Sequence, residues 1–307
     1  MRNAFIEALC ELAARDERIW LLTGDLGFSV LECFAERFPS RFLNAGVAEQ
    51  AMTGIATGLA MSGKIVFTYS IANFPTLRCL EQIRNDVCYH NANVKVVAVG
   101  GGLAYGAQGY THHGVEDLAI MGALPNMTVI APGDPVETRL ATEAIAAHVG
   151  PCYLRLGRGG ERAVHTGVPA FKVGCAIVLR DGGDLTIIST GGMLGVAVEA
   201  GDHLAAEGIS AAVVSCHTIK PIDHDAILRM AGSTRHVITI EEHSATGGLG
   251  SAVAGVLAKA GLAGVSFCAI ALPEKPLLIG SQQYLCEQAG LTPEAVAARA
   301  RALLGRA

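Results

Sequence analysis

Residues 41–60 read RFLNAGVAEQAMTGIATGLA. A short strand-like run at 41–44 leads into a polar turn and then a helix of small apolar residues. Glu49 is the one ionisable side chain between Arg41 and Lys64. Low dielectric disfavours the charged form, so a carboxyl in this setting is expected to resist ionisation. A neutral acid can donate a hydrogen bond near neutral pH. An acid in the first turn of a helix can also do no more than complement the helix dipole.

Outward from this stretch, short apolar runs alternate with helical patterns. Strands are expected at 19–23, 41–44, 65–69, 94–99, 128–131 and 152–156. Helices are expected at 31–38, 49–61, 77–91, 115–124 and 135–147. Continuous Val/Ile runs separated by helices predict a parallel sheet covered on both faces. Asp134-Pro135 reads as a helix start, with Asp as cap and Pro at the first helical position.

Residues 157–167 (GRGGERAVHTG) read as a linker between two domains, 1–160 and 171–307. In the second, runs at 172–180 and 185–189 flank Asp181-Gly182-Gly183-Asp184, a hairpin turn signal that predicts an antiparallel edge. Strands follow at 211–215, 236–241 and 266–271, with helices at 194–207, 226–230, 251–260 and 293–304. The expected fold class is α/β: two doubly wound domains, the first with a mainly parallel sheet, the second smaller with an antiparallel edge strand.

Of 307 residues, 51% are hydrophobic and 17% charged, which excludes a disordered chain. A net charge of -5 without a basic stripe leaves no electrostatic footprint for nucleic acid. No apolar run is long enough to span a bilayer, and the start of the chain lacks a signal-peptide pattern. The nine cysteines are scattered without a CxxC pair, which predicts reduced thiols in a cytoplasm. No Cys/His set has zinc-ligand spacing. The GxGxxG, GxxxxGK[ST], HExxH and GxSxG motifs are absent.

In open parallel sheets, ligands bind beyond the carboxyl ends of the strands. The loops there carry Gly24-Asp25, the Glu49 segment, 70–78, the Gly-rich 100–114 and Arg155-Leu156-Gly157-Arg158. One of His112 and His113 is a candidate for chemistry, since both lie in a Gly-bounded loop. Arg155 and Arg158 suit a phosphate group, although surface solvation explains them equally. Phe74 and Tyr69 are core residues or faces for a flat ring.

These segments together resemble the transketolase family: GVAEQ, then TYS with Phe74, Arg78 and EQIRND, then THHGVEDLAIMGALPNMTVIAPGDPVE, YLRLGR and, in the second domain, EEHSATGGLGS. The resemblance spans the whole chain but covers just the pyrimidine-binding and C-terminal domains. It implies a thiamine diphosphate enzyme that moves a two-carbon ketol unit from a ketose phosphate to an aldehyde. Glu49 would hydrogen-bond the cofactor's pyrimidine, and Phe74, with Tyr69 as alternative, would stack on it. Asp25 (in TGDL) and His112 would act on the substrate. Arg78, Arg158 and Arg155 would hold the anionic end of the sugar phosphate. The Asp25 segment argues against a deoxyxylulose-phosphate synthase, and the His112 loop against a 2-oxoacid dehydrogenase beta subunit. A non-catalytic scaffold that kept the fold is the remaining alternative.

The family's diphosphate and Mg2+ are held by a GDG motif with a downstream Asn. This chain has Gly24-Asp25-Leu26 and Gly133-Asp134-Pro135 but no GDG. The resemblance therefore implies a partner: an N-terminal transketolase subunit bearing the metal and diphosphate site, with two copies of each chain.

Overall fold

The computed structural model describes residues 1–306. Strands β1 (Ile19–Thr23), β2 (Phe42–Asn44), β3 (Ile65–Ile71), β4 (Val94–Val99), β5 (Thr128–Ile130) and β6 (Cys152–Leu156) pair in parallel, in the order β5-β6-β4-β3-β1-β2. Every residue of β4 (VKVVAV) is buried, as a parallel strand covered on both faces requires. Lys95 is among them, and its ammonium donates to the carbonyls of His148 (2.8 Å) and Gly150 (2.6 Å) just past helix Pro135–Ala147. That site suits a cation, because the carboxyl end of a helix carries partial negative charge. Asp134 caps the same helix, accepting from the Glu137 N–H at 2.8 Å.

Strands β7 (Ile177–Arg180), β8 (Leu185–Ser189), β9 (Ala211–Ser215), β10 (Thr218–Lys220), β11 (His236–Ser244) and β12 (Ser266–Leu272) follow. The second sheet has the order β12-β11-β8-β9-β7. Its edge strand β7 is antiparallel, as expected, but the expected hairpin is absent: β7 pairs with β9, and β8 lies beyond β9. The Asp181–Asp184 turn crosses the start of β9 instead, where Asp184 N donates to Ser210 O (2.9 Å) and Asp184 Oδ2 accepts from Ser210 N (2.7 Å). A Cβ on Gly182 would lie 2.2 Å from Ala212 N, so only glycine permits this crossing.

Strand β10 leaves its own half and pairs antiparallel with β5, completing a seven-stranded first sheet. The expected helix at 77–91 is broken into a turn at Leu80–Gln82 and a π-helical stretch, Ile83–Cys88. Residues 157–167 are tied down: Asp134 Oδ2 accepts from the N–H groups of Val164 (2.9 Å) and His165 (3.0 Å), and Glu161 pairs with the chain's amino terminus at 2.8 Å. No helix among the described residues is long and apolar enough to cross a membrane.

Candidate active site

The carboxyl ends of β1 to β4 and β6 gather the predicted residues along one edge of the first sheet. Glu49 opens helix Glu49–Met61 directly after the β2 turn and is 2% exposed. Its wall is Gly24 at the end of β1, where a Cβ would lie 3.2 Å from Glu49 Cγ. Its carboxylate accepts a 2.7 Å hydrogen bond from Arg78 Nη1.

Phe74 lies half-buried on the short helix Asn73–Thr76 after β3. Asn73 positions that turn, because its Nδ2 donates to His113 O (2.7 Å) and Thr111 O (3.2 Å) in the neighbouring loop. The Arg78 guanidinium carbon sits 4.8 Å from the centre of the Phe74 ring. The His112 ring also meets Phe74, edge-on at 5.2 Å and 71°. His112 is half-buried and its Nδ1 lies 3.0 Å from Thr111 Oγ1, whereas His113 is fully buried with Nε2 3.3 Å from Gly106 O. Of the two histidines, His112 is the one the fold aims at this edge.

The row continues through Tyr105, 6.3 Å from His112, to Arg158, whose guanidinium carbon lies 5.1 Å from the Tyr105 ring centre. Gly100, with φ +75°, makes room for that tyrosine, since a Cβ there would lie 2.1 Å from Tyr105 Cε2. Glu49, Arg78, Phe74, His112, Tyr105 and Arg158 thus form one unbroken line of contacts. Asp25 stands apart from it, exposed in a left-handed conformation (φ +57°). Asn44 fixes Asp25 by donating to Oδ1 (2.9 Å) and accepting from its N–H (3.0 Å). Sequence reasoning missed Asn44, Asn73 and Tyr105. Position at or just past a strand's carboxyl end was the one signal each offered.

Two expected residues belong elsewhere. Tyr69 is 1% exposed on β3, its ring stacked on Phe5 at 6.0 Å, so it has no face to offer a ligand. Burial pushes its phenol above the ordinary range. Arg155 is 5% exposed and holds no open anion site. Its Nε donates to Asp117 Oδ2 (2.9 Å), and its Nη2 donates to Gly114 O (2.7 Å) and Glu242 O (2.9 Å). It is a clamp between the two sheets.

Chemically, the edge offers a buried acid, an aromatic face beside it and a planar cation spanning both. Comparison with known proteins places this arrangement in a class. Residues 1–162 match the transketolase pyrimidine-binding domain, and residues 174–296 the transketolase C-terminal domain. The chain therefore belongs to the transketolase family. It is 38% identical over 302 residues to a 6-deoxy-6-sulfo-D-fructose transketolase subunit of Clostridium sp. (strain MSTE9), covering 96% of this chain and 92% of that one. It is also 38% identical to an apulose-4-phosphate transketolase subunit of Phocaeicola vulgatus, covering 96% and 94%. A solved split-gene transketolase, an inactive beta4 tetramer, superposes with a TM-score of 0.90 at 40% identity, over 99% of this chain and 97% of that one.

Proposed function

We propose that this chain is the C-terminal subunit of a two-chain transketolase. It transfers a two-carbon ketol unit from a ketose phosphate or related sugar to an aldehyde. The observation that carries this reading is the pairing of Glu49 with Phe74. A carboxyl that is 2% exposed stands beside a half-buried aromatic face, and a planar, hydrogen-bond-donating cation already fits between them. A protonatable aminopyrimidine has that same shape and donor pattern. The residues present therefore fit the pyrimidine of thiamine diphosphate, which when bound supplies the carbanion chemistry of ketol transfer.

Glu49 holds a proton at the pyrimidine ring nitrogen, and Phe74 orients the ring by stacking. His112 faces the substrate from beside Phe74 and serves proton transfer to the sugar oxygens. Asp25, fixed by Asn44, accepts a hydroxyl of the donor, and Arg158 pairs with its anionic end. The diphosphate and Mg2+ fall to an N-terminal subunit with a GDG motif. In this chain Asp134 is consumed as a helix cap, and Asp25 is followed by leucine. The subunit names of the two relatives and the split-gene neighbour support a partner chain, and we expect two copies of each in the cytoplasm.

The test is Glu49→Gln in the pair reconstituted with its N-terminal subunit. Ketol transfer falls by at least about 100-fold, the scale of a lost proton-transfer group, while sedimentation shows the assembly intact. Turnover at the wild-type rate overturns the reading. Pyruvate in place of a ketose phosphate yields no product.

A further inference from the structure

Glu49 and Phe74 are the groups that the reading above assigns to the pyrimidine, and in this structure both are already occupied by one side chain. Arg78 Nη1 donates to Glu49 Oε2 at 2.7 Å while its guanidinium carbon stands 4.8 Å from the Phe74 ring centre. Any flat heterocycle that donates to Glu49 while lying on Phe74 needs that same volume. We infer that Arg78 is an internal placeholder: it fills the position the pyrimidine would take between Glu49 and Phe74 and swings out when the ring enters. The inference rests on the assignment of Glu49 and Phe74.

Three features make Arg78 suited to this role. First, a buried carboxylate without a partner is costly, and among the described residues no other group donates to the Glu49 carboxylate. The lone chain therefore needs a substitute for the ring. Second, guanidinium is planar, carries donors along its edge and packs on aromatic faces, so it matches both neighbours at once. Third, Arg78 can leave. Its side chain is 46% exposed against 2% for Glu49. It stands in the irregular link between helix Asn73–Thr76 and the turn Leu80–Gln82. Its charged head returns to water at little cost, and the donors of the entering ring replace it on Glu49. The freed guanidinium then stands beside Phe74 and His112, able to pair with an anionic substrate. Pyrimidine entry would thereby complete the substrate side of the site.

A ligand that must displace an internal group binds with its affinity reduced by the fraction of molecules in which the group is already out. Thiamine is the suitable probe, since it carries the pyrimidine but no diphosphate and so does not call on the partner's metal site. Thiamine is titrated by calorimetry into the full chain as wild type, Arg78→Ala, Glu49→Gln and Phe74→Ala. Arg78→Ala is expected to bind about fivefold tighter than wild type, the equivalent of ~1 kcal/mol for a half-exposed ion pair. Glu49→Gln and Phe74→Ala are expected to bind at least about tenfold more weakly.

If those two variants bind as wild type does, or no form binds, the pyrimidine assignment is wrong. If they weaken but Arg78→Ala gains nothing, that assignment stands and the placeholder is overturned. A second measurement avoids any folding defect in the alanine variant. In wild type, the Arg78 Nε–H resonance is expected to move to the position of a free arginine on saturation with thiamine. A resonance that stays in place overturns the placeholder.

Discussion

Replacing Arg155 by methionine is the sharpest test of how the two halves of the chain are joined. Asp117 is fully buried at its side chain, and its Oδ1 has no partner. Its Oδ2 accepts from Tyr153 OH at 2.5 Å and Arg155 Nε at 2.9 Å. Methionine keeps the apolar stem but removes the charge, leaving Asp117 with Tyr153 alone. It also strips a donor from the carbonyls of Gly114 and Glu242. Breaking one side of a buried pair costs about 3–5 kcal/mol, because the surviving charge is uncompensated. We therefore expect a loss of about 4 kcal/mol in urea unfolding at pH 7, followed by circular dichroism and extrapolated linearly. Adding Asp117→Asn to the Arg155→Met background removes the orphaned charge and should return about 2 kcal/mol. A single variant within ~1 kcal/mol of wild type, or a double variant no better than the single, refutes the clamp.

Two further outcomes follow from the geometry. Gly24→Ala places a methyl 3.2 Å from Glu49 Cγ, so it should weaken thiamine binding by about tenfold while the midpoint of thermal unfolding changes by no more than a few degrees; unchanged thiamine affinity would show that Glu49 has room to yield. Glu241 is fully buried, its two oxygens accepting from Leu249 N (2.7 Å) and Gly250 N (2.8 Å), and burial raises its carboxyl from 4.5 to about 7. The folded state then holds the proton more tightly than the unfolded one, so this contribution is complete below about pH 4.5 and is lost as pH rises to about 7. The stability of wild type relative to Glu241→Gln should fall by roughly 3 kcal/mol across that window in urea titrations, and a pH-independent difference between the two would rule the effect out.

The first sheet is legible in the sequence because its strands are continuous apolar runs whose neighbours follow from strand–helix alternation. Lys95 does not break that signal, since its ammonium reaches carbonyls beyond the strand. The Asp181–Asp184 turn misleads for a physical reason: a turn signal is local, whereas β7 finds its partner in β9, more than thirty residues on. Strand β10 has three residues and a partner in the other domain, so neither length nor periodicity reveals it. Glu49 is legible as a lone acid in an apolar setting. Its contact with Arg78 crosses 29 positions and leaves no pattern in the sequence. Tyr69 and Arg155 mislead because strand-end position does not say which way a side chain points.

The second domain does more than follow the first: it holds the loop that carries His112 and Tyr105. Residues 100–114 are closed at their base by the Gly102–Gly114 bridge. Glu242, on β11, accepts from Leu103 N at 2.9 Å, and its acid group fits because Gly102 has no Cβ: one would lie 2.5 Å from Glu242 Cδ. Ser244 N donates to Val115 O at 2.8 Å, and Gly280 N to Gly106 O at 3.3 Å. Arg155 reaches the same loop through Gly114 O while donating to Glu242 O. The loop is therefore positioned from both sheets; Glu49 rests on the first sheet alone, whereas the turn that carries Phe74 is tied to the loop through Asn73. The acid and aromatic face thus come from the pyrimidine-binding half, and the placement of His112 is set jointly by both halves. A change on β11 should therefore displace His112, and through Asn73 the turn that carries Phe74, more than it displaces Glu49, although none of the site's candidate side chains comes from the second domain.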